Sequence, residues 1–325
     1  FHPRFPRYTL MEHDQKRTGV TASLQFKPTD RTQFAFDALY SKIDAVRDEK
    51  YIEAISFSRG ASQNGKPQTI VRDGVVENGA LVYGLFDDVD IRSESRHDEW
   101  NTVFTQLGLE GEHEFTDSFK ISGKLGTSKS EHENPIQTTI IMDKLNVDNY
   151  SYDYRNDPYK PVLNYGIDPT DPNGWTLAEI RIRPQYVTND FDNGQLEFSW
   201  AIGPSFTLEG GVQAKNFSFD SMERRRVGLE TAVPTFDGSK IVPVNMTELA
   251  SLQGMSGSPG KWVVPNFNGI ANEFDILSGE GIYALVDYAA SIRSVQEQDR
   301  GGWLMGKFGF DIGSVPVTGN IGARY

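Results

Sequence analysis

The feature that most constrains this chain is a strict alternation of apolar and polar residues, repeated in four paired runs. Val20, Ala22, Leu24 and Phe26 alternate with Thr21, Ser23 and Gln25. A period of two belongs to a strand whose two faces meet unlike surroundings. Lys27-Pro28-Thr29-Asp30-Arg31 then supplies a turn, because proline fixes φ and a short Asp side chain bonds its own backbone. Phe34, Phe36, Ala38 and Tyr40 resume the pattern around Ala35 and Asp37. The unit returns with Leu107 and Leu109 before Phe115-Thr116-Asp117-Ser118 and with Phe119, Ile121 and Leu125 after it. It returns again with Leu196, Phe198 and Trp200 around Gly203-Pro204-Ser205, and last with Leu304, Phe308 and Phe310 before Gly313-Ser314.

The pattern predicts strand hairpins over 18–42, 103–129, 195–218 and 303–325, separated by excursions of 43–101, 130–194 and 221–302. Each strand has about nine to eleven residues, enough to cross a hydrocarbon core at the tilt of a barrel. Short turns on one side and long loops on the other match an outer-membrane barrel. The expected fold is therefore all-β: about eight strands of a large antiparallel up-and-down transmembrane barrel, with long, partly helical extracellular loops. Short helices are expected around Glu248-Leu249-Ala250 and from Ile282 to Ile292. Leu24, Phe34, Phe36, Leu107, Ile121, Phe198 and Phe308 are expected on the lipid side. Gln25, Asp37, Glu110, Lys124, Glu197 and Lys307 are expected on the lumen side, and the four hairpins should pair in chain order. The first strand enters from the long-loop side and the last ends there, which predicts a window on a larger barrel. A soluble β-sandwich also has one polar strand face and stays open as an alternative.

Composition removes some functions. The 325 residues carry a formal charge of −13, which disfavours nucleic acid as a partner. There is no cysteine, so disulfides and thiolate metal sites are excluded. No apolar run reaches the roughly 18–20 residues of a membrane helix.

Several stretches resemble TonB-dependent outer-membrane receptors. They run from Leu24-Gln25-Phe26-Lys27-Pro28 to Phe34, from Phe86-Asp87-Asp88-Val89-Asp90 to Arg96, and from Glu179-Ile180-Arg181-Ile182-Arg183-Pro184 to Val187. The wording, including Gly319-Asn320-Ile321-Gly322-Ala323-Arg324-Tyr325, is most similar to the subfamily abundant in Caulobacter and Xanthomonas. The resemblance implies a 22-stranded barrel with an N-terminal plug, of which this chain holds wall and loops but no plug. It also implies energised import of a scarce nutrient across the bacterial outer membrane, driven by the TonB-ExbB-ExbD system. The partners expected are outer-membrane lipid and lipopolysaccharide, and a small molecule or oligosaccharide as substrate, carbohydrate ahead of ferric siderophore.

No motif points to an enzyme or a cofactor. Gly60-Ala61-Ser62-Gln63-Asn64-Gly65-Lys66 starts like a phosphate loop, but Pro67 replaces the Mg-binding hydroxyl. Gly279-Glu280-Gly281-Ile282-Tyr283-Ala284 lacks the βαβ setting of a dinucleotide site. The histidines form no H-E-x-x-H, and His13, His97 and His132 read as solvated loop residues. Asp87, Asp88 and Asp90 are weak candidates for a hard-cation site, with a solvated acidic loop the plainer reading. Trp175, Tyr152, Tyr154, Tyr159, Tyr165 and Trp262 are candidates for stacking on sugar rings, or equally for packing the loops together. Arg224-Arg225-Arg226 is a candidate for lipopolysaccharide phosphates, against a plain solvated charge run. The rivals to a transporter are a soluble β-rich recognition module and an outer-membrane barrel enzyme.

Overall fold

The computed structural model describes residues 1–57, 69–252 and 257–325. In chain order the first strands are β1 (Arg7–Thr29), β2 (Thr32–Ala54), β3 (Ile70–Glu77), β4 (Ala80–Asp87), β5 (Val89–Thr116) and β6 (Phe119–Val147). Then come β7 (Tyr150–Asp153), β8 (Val162–Asn164), β9 (Thr176–Ile182), β10 (Gln185–Ala201) and β11 (Phe206–Arg226). The chain ends with β12 (Thr247–Ser251), β13 (Lys261–Pro265), helix α1 (Phe267–Glu273), β14 (Leu285–Asp287), β15 (Arg293–Ile312) and β16 (Val315–Arg324).

Eight long strands form one antiparallel wall in the order β1-β2-β5-β6-β10-β11-β15-β16. The four expected hairpins therefore lie side by side in chain order. Among the described residues the wall is open, because β1 pairs only with β2 and β16 only with β15.

Register divides the wall into two faces, since directly paired residues share a side. Leu24 pairs with Phe36, Phe36 with Leu109, and Leu109 with Leu125. Phe34, Leu107, Ile121, Phe198 and Phe308 lie on that same apolar side. Ala35, on the side of Gln25, pairs with Glu110, Glu110 with Lys124, and Lys124 with Gln195. Asp37, Glu197 and Lys307 share this polar side. No second sheet covers the apolar face here: Leu24 is 66% exposed and Leu125 62%. Phe198 does lie over Gly210, where an added Cβ would fall 2.6 Å from the ring.

The strands run far beyond the lengths expected from sequence. β5 has 28 residues and β6 has 29, about 90 Å at the usual rise. Thus 43–54, 89–101, 130–147, 185–194, 219–226 and 293–302 prolong the wall instead of looping away. A register shift between Glu99 and Asn101, opposite Pro135, breaks β5–β6 pairing partway up. Proline within a strand is tolerated at such a bulge because it has no N–H for the ladder.

Above that bulge the excursions fold onto the wall as a cap. On the apolar-parity face, Ser93 donates to the Val263 carbonyl at 2.6 Å, Lys50 pairs with Glu248 at 2.9 Å, and His97 meets the Phe267 ring at 5.1 Å. β13 and α1 thus cover the upper wall. β3, β4, β7 and β8 form a separate four-stranded sheet. Phe86, Tyr150, Tyr152, Leu163, Trp175, Trp262 and Ile270 join Ile52, Ile91, Ile140 and Met142 in one core.

Local chemistry shapes the cap. Asp168 Oδ1 accepts from the Thr170 amide at 2.8 Å and Asp171 Oδ1 from the Asn173 amide at 3.0 Å, giving two successive Asx turns. Gly166 has φ of +69°, and a Cβ there would lie 2.1 Å from the Asp148 carbonyl oxygen. Only glycine fits both the conformation and the approach.

Two expected helices are not helices. Glu248-Leu249-Ala250 belongs to β12, paired with β13. Residues 282–292 hold short 3-10 turns around β14. The α-helix lies at Phe267–Glu273, where the Asn266 side chain caps it by accepting from the Gly269 amide at 2.8 Å.

Candidate functional site

The polar face of the wall changes character with height. Near the short turns it carries separate Lys–Glu pairs, Lys124–Glu110 at 3.0 Å and Lys120–Glu112 at 3.2 Å. Exposed pairs of this kind contribute little stability. At cap level the same face carries a connected set of arginines and carboxylates. Arg47 and Arg96 both hold Asp98, at 2.6 and 3.0 Å. Both also approach Glu49, at 3.2 and 3.8 Å, and the Tyr51 hydroxyl donates to Glu49. Arg92 grips Asp143 with two bonds of 2.8 and 2.9 Å and reaches Glu179 at 3.3 Å. Arg181 holds the other Glu179 oxygen at 2.6 Å, and Arg183 binds Glu230 through two bonds of 2.8 and 2.7 Å. Arg7 reaches Glu53 at 3.4 Å.

Strand geometry explains the assembly. Glu53 and Arg92 are direct partners, as are Glu49 and Arg96, and Arg47 and Asp98. Arg92 also faces Asp143 across β5–β6, and Thr139 faces Arg181 across β6–β9. Opposite charges at paired positions meet without long reaches.

Burial sets the protonation. Glu53 is pushed well above the carboxylate range by burial and then by neighbouring Glu94. Burial also raises Glu94, against the pull of Arg181 and Arg92. Burial disfavours the Arg47 cation, but its bond to Asp98 and the charge of Glu49 outweigh that and hold its pKa up. Burial thus favours the protonated form of Glu53 and of Glu94.

Aromatic rings share this face. Arg47 lies over the Trp100 ring at 5.2 Å, Arg7 over Tyr51 at 5.1 Å, and His13 lies 5.2 Å from Trp100. Trp100 is paired with Ala45 at the bulge. The apolar–polar alternation of β5 is legible in the sequence only from 103, which leaves Trp100 outside it. Its parity with Glu110, carried back along an unbroken strand, is the signal that finds it.

The aromatic candidates from sequence lie elsewhere. Trp175 and Trp262 are 0% exposed, Tyr152 1% and Tyr165 2%. They pack the cap and offer no ring face to a sugar, which corrects the stacking reading for these four. Trp175 is held by its Nε1–H to the Asp171 carbonyl at 3.0 Å, with Lys144 over its ring at 5.1 Å. Tyr154 is partly buried against the same core, and Tyr159 alone of the six is open, at 91%.

Asp87, Asp88 and Asp90 do not assemble a metal site. Asp87 accepts from the Asn149 amide at 2.9 Å and binds Arg72 at 2.9 Å, and Asp90 accepts from the Asn146 amide at 3.1 Å. Asp88 adopts φ of +63° in the turn between β4 and β5. These carboxylates join two excursions, and among the described residues no cluster fit to hold a metal occurs. The three consecutive arginines form no common patch, since neighbours on a strand point to opposite faces. Arg224 pairs with Asp287 at 3.2 Å and Arg225 with Glu223 at 2.5 Å, the latter stacked 3.6 Å over Tyr288. Arg226 is buried and donates to the carbonyls of Leu229, Ile180 and Ala232.

His97 and His132 are strand residues rather than loop residues. His97 bonds Asp48 at 2.8 Å and Glu99 at 3.1 Å, and His132 bonds Thr102 at 2.8 Å. Gly279 and Gly281 sit in left-handed turns beside short 3-10 segments. The stretch Gly60–Lys66 lies outside the described residues.

No protein-family model matches this chain, and neither a curated protein nor a solved structure matches it.

Proposed function

We propose that this chain forms wall and external cap of a TonB-dependent outer-membrane transporter that imports a scarce nutrient. The observation that carries the proposal is the uncovered apolar face. It runs from Phe26, Phe34 and Phe115 near the short turns up to Lys42, Lys129 and Asp190, where apolar-parity positions become charged. That is about ten residues per strand, matching the apolar height of an outer-membrane barrel wall. A soluble protein rarely leaves so large a continuous apolar surface bare. Over the same height the opposite face is richer in polar side chains, with Leu39, Phe104, Trp303 and Met305 also on it. Energy coupling through TonB-ExbB-ExbD rests on the resemblance in wording around Phe86–Arg92 and Glu179–Pro184. The import of carbohydrate ahead of ferric siderophore is now supported by Trp100 and Tyr51 on the polar face, in place of the buried Trp175.

Single-cysteine labelling of the full-length protein in its cell envelope tests the reading, because this chain contributes no cysteine of its own. Cysteines replacing Leu24, Leu109, Leu125 and Leu196 should resist a water-soluble maleimide and react with a membrane-borne probe. Those replacing Gln25, Glu110, Lys124 and Glu197 should behave oppositely. Equal water-phase labelling of both sets rejects the membrane assignment.

A further inference from the structure

We infer that the polar face at cap level is a recognition surface for an oligosaccharide bearing carboxylates. The inference deepens the transporter reading and rests on it only for the direction in which this face opens.

The carrying observation is an asymmetry within the ion pairs. Side-chain exposure is 27% for Arg47 and for Arg96, but 0% for Asp98 and 6% for Glu49. Arg7 keeps 45% against 4% for Glu53, and Arg181 keeps 23% against 8% for Glu179. In these pairs the acids are inside and the guanidinium groups outside, whereas Arg92 is itself buried among its carboxylate partners, at 4% exposure. Lower on the same face, Glu110 and Glu112 stay as exposed as their lysine partners. A net acidic chain has thus placed a layer of arginines on one part of one face and submerged their counter-ions beneath it.

The consequence is a surface of N–H donors aimed at solvent. A guanidinium has five donors, and its carboxylate partner uses two or three. The planes of Arg47 and Arg96 are fixed from below by Asp98, so the free edges are preorganised. Such edges fit carboxylate oxygens in bidentate fashion, where an ammonium would not. Trp100 and Tyr51 stand among these arginines, and both rings are partly exposed. Carboxylates together with flat apolar ring faces are the two halves of a uronic-acid sugar. A neutral glycan would use the rings and leave charged donors with only hydroxyl partners. A ferric chelate with carboxylates would use the arginines and leave the rings idle.

The test uses the full-length transporter purified in detergent, titrated with a uronic-acid tetrasaccharide, its carboxyl-reduced neutral counterpart and ferric citrate. The acidic sugar should bind at least about tenfold more tightly than the neutral one, and should weaken severalfold between low and high salt. Deleting Arg96 would leave buried Asp98 with Arg47 as its remaining arginine partner, so the variant is Arg96→Lys, which keeps the charge and loses the fork. It should weaken the acidic sugar about tenfold or more while leaving the neutral sugar unchanged. Trp100→Leu should weaken both sugars. Equal binding of the two sugars, binding of ferric citrate alone, or binding of none overturns the inference. These titrations are read independently of cysteine labelling. Preference for the acidic sugar with a water-labelled apolar face would keep the recognition surface and discard the membrane assignment.

Discussion

The lower and upper halves of the wall are built from the same strands and held by different physics. In β5, Leu107 and Leu109 are 46% and 44% exposed, while Ile91 and Asp98 in the same strand are fully buried. Below the bulge at Trp100 the two faces differ in polarity and, among the described residues, neither is covered by another element. Above it both faces are occupied: β12, β13 and α1 lie over one, and arginines roof the carboxylates on the other. Bare leucine and phenylalanine in the lower half contribute no burial in water. The upper half carries its own core.

Four changes break or sharpen this contrast. The largest effect belongs to Trp175→Ala, which empties the cap core at a cost of about 3–5 kcal/mol. Limited proteolysis should cut the cap of this variant at lower denaturant concentration, while maleimide protection of the lower wall is unchanged. Loss of both together would show one cooperative unit instead of two. Next comes Leu125→Arg, expected to cost about 2–4 kcal/mol in a bilayer, against far less for Gln195→Arg on the polar face. Refolding into lipid vesicles measures both, and equal costs would erase the distinction between the faces.

Glu53→Gln has a smaller effect with a defined sign. The folded-state pKa of Glu53 is raised to about 8, above its ordinary value. The stabilisation tied to its proton is complete below the ordinary carboxylate pKa and is lost as pH rises to about 8. The amide mimics the protonated acid, so the variant should flatten cap stability over that window and be the more stable protein at its alkaline end. An unchanged pH profile would mean that Glu53 is ionised in the folded protein. The smallest effect is Tyr150→Phe. The Tyr150 hydroxyl is buried with no hydrogen-bond partner among the described residues, so removing it should leave thermal stability equal or slightly higher. A clear loss would reveal a buried water bridging this group.

The extent to which the sequence is readable follows the same division. Alternation at Val20–Phe26 or Leu196–Trp200 is a local signal, because each residue's surroundings are decided by its parity alone. It disappears at Ile140-Ile141-Met142, where both sides of the strand are buried and apolar residues become consecutive. That stretch therefore reads as an excursion although it prolongs the wall. The buried aromatics failed for a related reason. Trp175 and Trp262 have the ring chemistry of a sugar platform, but composition does not say which side of a loop turns inward. Likewise, the isolated letters Arg47, Arg96 and Asp98 look like ordinary surface charge until strand pairing brings them together.

What the sequence by itself determined is the hairpin order, the turn positions and the division of the lower strands into two faces. These depend on neighbours one, two or ten residues away and on the fixed periodicity of a strand. Only the tertiary structure decided where the strands stop, which aromatics are core, and that carboxylates lie under arginines at cap level. Those outcomes come from contacts between residues tens to more than a hundred positions apart, such as Ser93 with Val263 and Arg92 with Glu179. Burial is a property of what the rest of the chain places on top of a residue, and no local pattern encodes it.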